Sequence, residues 1–113
     1  MKNIMEFGEY EAVISYDPEI QMFRGEFIGL NGGADFYANS IEKLREEGET
    51  SLRVFLEFAK EKNIEPTKRF SGQFVLRVKP EVHKKYATLA RSRNMSLNQI
   101  LSQTLEQAAE TID

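Results

Sequence analysis

Six consecutive residues, Gln73-Phe74-Val75-Leu76-Arg77-Val78, alternate between two chemistries. Phe74, Leu76 and Val78 are apolar and belong on one side of an extended strand. Gln73, Val75 and Arg77 then share the other side. That second set suits the edges of DNA bases. Arg77 can donate two hydrogen bonds to guanine O6 and N7, and Gln73 can pair bidentately with adenine N6 and N7. Val75 offers only apolar contact, such as with a thymine methyl. Some twenty residues on, Ser96 with Gln99 forms a capping box at a helix start. The backbone N–H groups that follow, of Leu97 and Asn98, form an anion site favoured by the helix dipole. Lys68, Arg69 and Lys79 flank the strand and can reach phosphates.

A strand in this position needs a partner. Pro80 sets the first turn of a helix directly after it, and its fixed φ and absent N–H suit that place. Val82, Tyr86, Leu89 and Ala90 give this helix one apolar face. Asn94 fits a left-handed stop. A last helix follows from Ser96, with Leu97, Ile100, Leu101, Leu105, Ala108 and Ile112 as its stripe. One strand and two helices in about 40 residues bury too little to stand alone. The strand's backbone donors and acceptors must also be satisfied. The same strand of a second copy meets both needs and predicts a two-fold ribbon. Phe74, Leu76, Val78, Leu89, Leu97, Ile100 and Leu101 are the expected dimer core.

The front half reads as a small antiparallel meander and a helix. Tyr10–Tyr16 is strand-like, Asp17-Pro18 turns the chain, and Met22–Ile28 is a second strand. Gly29–Gly33 turns again, and Ala34–Ala38 gives a short third strand. Residues 1–9 read as a loose lead-in or the beginning of a strand. A helix is predicted from Asn39 as cap, with Glu42 completing a capping box, to about Lys62, carrying Ile41, Leu44, Leu52, Phe55, Phe58 and Ala59 at helical spacing. Gly48 interrupts the pattern and suggests a bend. Pro66 begins a linker. The fold class is therefore α+β, with a three-stranded antiparallel sheet and one helix over 1–65 and a strand–helix–helix module over 66–113.

Charge is segregated between the halves. Residues 1–67 hold 7 Lys/Arg against 14 Asp/Glu, whereas residues 68–95 hold 8 against Glu81 alone. A polyanion suits the basic segment and a basic protein suits the acidic one. A sheet with one helix leaves a face or an edge for that protein, and Tyr10, Tyr16, Phe27 and Tyr37 are candidate contacts. The chain has no cysteine, so disulfides, thiolate nucleophiles and zinc–thiolate sites are excluded. No apolar run approaches the ~20 residues of a membrane span, and the start lacks a signal-peptide pattern, so a cytoplasmic location and no membrane partner are expected. Catalysis is not expected either. Asp17, Glu26 and Asp35 have ordinary turn or surface explanations. His83 is the sole histidine and lies beside Lys84 and Lys85, and Gly29, Gly32 and Gly33 are no phosphate loop. No cofactor or metal is implied.

The strand–helix–helix module resembles the ribbon–helix–helix DNA-binding modules of the Arc and MetJ repressor class. The resemblance implies base contacts from Gln73, Val75 and Arg77, and a DNA phosphate held by the backbone of Leu97 and Asn98 behind Ser96. Over nearly its whole length the chain resembles the HicB family of antitoxins. Ile64-Glu65-Pro66, Phe70 to Val78, Ser96-Leu97-Asn98-Gln99, and Asp35-Phe36-Tyr37 with Ser40 to Arg45 carry that likeness. It implies a truncated ribonuclease H-like front domain that neutralises a small basic mRNA-cleaving toxin of HicA type. It also implies a homodimer or higher oligomer that represses its own operon through operator DNA. The alternative is a stand-alone ribbon–helix–helix regulator without a toxin partner.

Overall fold

The lead-in residues already alternate. Met5 and Phe7 point to one side and Ile4 and Glu6 to the other, so Ile4–Phe7 forms strand β1 of the computed structural model, which describes residues 3–112. Gly8, at φ +64, supplies the left-handed position of a two-residue hairpin turn. β2 (Tyr10–Asp17), β3 (Met22–Ile28) and β4 (Phe36–Ala38) follow, and the antiparallel order is β1-β2-β3-β4. The expected three-stranded sheet is thus four-stranded. The lead-in conceals its strand because only two inward residues mark it. The third expected strand shrinks to three residues, since only Phe36 to Ala38 pair with β3. Asp17 behaves as its position at a turn suggests: Oδ1 accepts from the Glu19 N–H at 3.0 Å.

Helix α1 (Ile41–Glu61) lies across one face of this sheet. Its cap is Ser40, not Asn39. Ser40 has extended backbone angles, so its side-chain oxygen accepts from the Lys43 N–H at 3.2 Å. The buried positions Leu44, Gly48, Leu52, Phe55 and Ala59 recur at steps of three and four residues, whereas Ile41 and Phe58 stand half-exposed off the stripe. The helix buries this stripe against Met5, Phe7, Ala12, Leu30, Phe36 and Ala38. Phe7, Phe27 and Phe36 form an aromatic trio, with ring centroids 5.1–5.7 Å apart and tilted or edge-to-face planes.

The expected bend at Gly48 is absent; the helix runs through it. A Cβ there would stand 2.4 Å from the Phe7 ring and 2.9 Å from Phe36. The glycine lets the helix backbone approach the trio. Gly25 does the same from β3, where a Cβ would meet Phe36 at 2.1 Å. After α1, Asn63 turns at φ +55, and the Ile64 N–H donates to the Ala59 carbonyl. Residues 65–68 then run alongside the β3–β4 connection. Asn31 N–H donates to the Pro66 carbonyl, Lys68 N–H to the Gly29 carbonyl, and the Asn31 side chain to the Glu65 carbonyl.

The chain divides into two compact units between Ser71 and Gly72. The second contains α2 (Pro80–Ser92) and α3 (Leu97–Ala109). Pro80 opens α2 as expected, and Asn94 takes the left-handed angle, φ +59, that ends it. Residues 74–78 belong to no strand of the sheet and are exposed throughout. Among the described residues none of the three helices is long and apolar enough to cross a membrane.

Gly48 gives a sharp test of close packing. In an open helix Gly→Ala is worth up to about 1 kcal/mol of stabilisation. Here Gly48→Ala is expected to destabilise by about 1–3 kcal/mol, because the added methyl overpacks the aromatic trio. Thermal unfolding followed by circular dichroism should show a lower midpoint; a raised midpoint contradicts the tight contact.

Candidate nucleic-acid interface

The extended segment begins after Gly72, whose φ of +82 turns the chain, and ends where Pro80 starts α2. Between these points its two side-chain sets are both solvent-accessible. On the polar side Arg77 and Lys79 are exposed, and Val75 is 88% exposed. Gln73 stands at the head of the same set. On the apolar side Phe74 is 72% exposed and Leu76 and Val78 about half. No ion pair among the described residues engages Lys68, Arg69, Arg77 or Lys79, so these charges are available to an anion.

Ser96 closes the capping box expected of it. Its Oγ accepts from the Gln99 N–H at 3.0 Å, and its own N–H donates to Gln99 Oε1 at 2.9 Å. These bonds satisfy two of the donors at the α3 start. The Leu97 and Asn98 N–H groups find no acceptor among the described residues. Ser96 and Asn98 are exposed, whereas Leu97 turns its side chain into the apolar groove described next.

That groove is the largest anomaly of the second unit. Among its described residues only Ala90 and Ile100 are buried, each at 3%. Ile100 is therefore the single residue of the expected dimer core that the chain covers by itself. Leu89, Leu97 and Leu101 are half-buried. Leu76, Val78, Val82, Tyr86, Leu97, Leu101 and Leu105 line an open groove of about 590 Å³, with Arg77, His83 and Thr104 at its margin. Apolar side chains from the extended segment and from both helices thus converge on one unfilled space. Pattern reading identified these residues individually; their convergence depends on the angle between α2 and α3, which no local signal encodes.

The first unit holds the other candidates. Tyr16 and Tyr37 are 54% and 43% exposed. Tyr10 and Phe27 are half-buried and pack on the core, Phe27 within the aromatic trio. Asp35 and Glu26 both face Arg24, at 2.5 and 3.9 Å. The hydrogen bond and charge of Asp35 raise the Arg24 pKa further above its ordinary value. That pair is a bridge between β3 and the loop before β4. No group of three or more Asp, Glu or His that could hold a metal occurs among the described residues.

No curated protein and no solved structure matches the chain. The model of the HicB family matches residues 55–105. This span runs from the second half of α1 through the extended segment and α2 into α3, so it includes the alternating residues, the groove and the Ser96 capping box. Over these residues, a little under half of its length, the chain is similar to the HicB family.

Proposed function

We propose that the chain is an antitoxin whose second unit dimerises as a ribbon–helix–helix module and represses its own operon, and whose first unit neutralises a small basic mRNA-cleaving toxin of HicA type. The observation that carries this reading is the exposed apolar side of residues 74–78 beside an unfilled apolar groove. Pairing two copies of the segment antiparallel would satisfy the backbone groups on the facing edge of each. It would also lay Phe74, Leu76 and Val78 over the grooves of both copies. The opposite side of the ribbon would then present Gln73, Val75 and Arg77 to the major groove, as β-ribbon readers do. The Leu97 and Asn98 amides would hold a backbone phosphate and fix the register. The similarity of residues 55–105 to the HicB family favours a toxin partner, and the acidic balance of residues 1–67 suits a basic one. The role is non-catalytic and cytoplasmic, and the first unit acts as a truncated ribonuclease H-like shape.

Three outcomes test this reading. With two buried side chains among its described residues, the second unit gains little burial as a monomer, so on this reading its unfolding midpoint should rise with protein concentration, as for obligate dimers. A midpoint independent of concentration over a hundredfold range, together with monomeric sedimentation, contradicts it. Leu76→Ala should destabilise the dimer by about 2–5 kcal/mol, through loss of a side chain from the shared core. An unmoved denaturation midpoint places Leu76 outside that core. Arg77→Ala should lose about 1–3 kcal/mol on the cognate operator and relax the base preference at one position. Equal loss on every duplex sequence in a binding assay removes the base-reading role and leaves a phosphate contact.

A further inference from the structure

The sheet keeps one face for α1, and strand register fixes what stands on the other. Met5, Phe7, Ala12, Gly25, Phe36 and Ala38 are buried on the helix side, so their neighbours point away from it. Those neighbours form three cross-strand rows: Ile4, Val13 and Glu26; Glu6, Glu11 and Ile28; and Ser15, Arg24 and Tyr37. Ile28 and Tyr37 are 51% and 43% exposed.

Two features of this face do nothing for the fold. Glu6 and Glu11 are exposed and stand directly opposite each other on β1 and β2. Like charges so placed, with Cβ atoms about 4.5–5.5 Å apart, destabilise a sheet. No cation among the described residues pairs with either. The cation that the rows do contain, Arg24, is occupied by Asp35 and Glu26. The second feature is Ile28, a large apolar side chain exposed in the same row as the two carboxylates. Lys68 lines the same concavity as Glu11 and Ile28 but forms no ion pair with either glutamate. Opposed carboxylates left unpaired among the described residues mark a place where another molecule can supply the counter-charge.

We propose that this helix-free face is the docking surface for a basic protein, with Glu6 and Glu11 together receiving one Arg or Lys side chain and Ile28 and Tyr37 giving the apolar contact. The paired carboxylates offer acceptors on two adjacent strands to a planar guanidinium, which can donate to both. Bringing a cation there removes the repulsion between the glutamates, so binding gains what folding forgoes. Arg24 is engaged by Asp35 and Glu26 and pairs with neither Glu6 nor Glu11. The assignment rests on the proposed antitoxin function and specifies the surface on which the toxin sits.

The test is a calorimetric titration of the full chain with a small basic toxin of HicA type from the same genome. It uses wild type, the double variant Glu6→Gln/Glu11→Gln, and the control Glu46→Gln/Glu57→Gln, which makes the same charge change on α1. The Glu6/Glu11 variant should bind about 10–100-fold more weakly, on the scale of interfacial charge pairs. Its affinity should also depend less on salt, and it should melt no lower than wild type. The α1 control should stay within about threefold of wild type. Undiminished affinity in the Glu6/Glu11 variant overturns the docking assignment while leaving the antitoxin reading intact. Equal losses in both variants also overturn it, because a diffuse field rather than this face would then be responsible. If removing the two carboxylates changes only the oligomeric state, the face belongs to a second copy and the assignment again fails. Absence of binding by wild type overturns the antitoxin reading itself, and this assignment with it.

Discussion

An extended segment with large apolar side chains on one side cannot persist in water without a cover. Residues 74–78 place Phe74, Leu76 and Val78 beside α2 and α3, yet leave them half-exposed or more. The two helices bury only Ala90 and Ile100 between them and gape over about 590 Å³. Hydrophobic burial at about 25 cal/mol per Å² is the main force available to hold such a unit, and one copy realises little of it. Every functional feature of the second unit is hung on this deficit. The side chains that would read bases point outward only if the apolar ones are covered. The α3 start can hold a phosphate in register only if the segment beside it is fixed.

The first unit solves its own problem differently. Four strands and one helix give it a closed aromatic core, so it has no comparable need for a partner to fold. Glycines at 25 and 48 admit the Phe7 and Phe36 rings at distances that any Cβ would forbid. What it leaves over is a sheet face, acidic and partly apolar, on which two glutamates oppose each other. The two units thus present opposite charge and opposite logic. One leaves apolar side chains and a groove uncovered. The other closes its own core and leaves a surface on which Glu6 and Glu11 stand opposed and unpaired among the described residues.

Local chemistry made much of this legible. Pro80, Asn94 and the Ser96–Gln99 box each act within a few residues, and the helices begin and end where these residues require. Asp17 was readable for the same reason. Signals weakened where two residues competed for one role or where partners lay far apart in sequence. Asn39 and Ser40 can both cap, and the choice goes to Ser40 because its extended backbone aims Oγ at Lys43. Gly48 suggests a bend when read along the helix, and only the rings of Phe7 and Phe36 show why it is there. β1 hides in a four-residue stretch with two inward side chains. Without β1 the register is missing, and with it the confrontation of Glu6 and Glu11. The groove was unreadable because it depends on how α2 and α3 cross.

A single-cysteine scan through residues 74–78 tests the central claim most directly, since the chain has no cysteine of its own. A disulfide between two copies requires their Cα atoms to approach within about 7 Å. In a two-fold antiparallel ribbon that condition holds only near the axis. The account predicts oxidative cross-linking that peaks at one residue of the segment and falls away on both sides. Monomer at every position under oxidation, or cross-linking that is equal at all five, would contradict it.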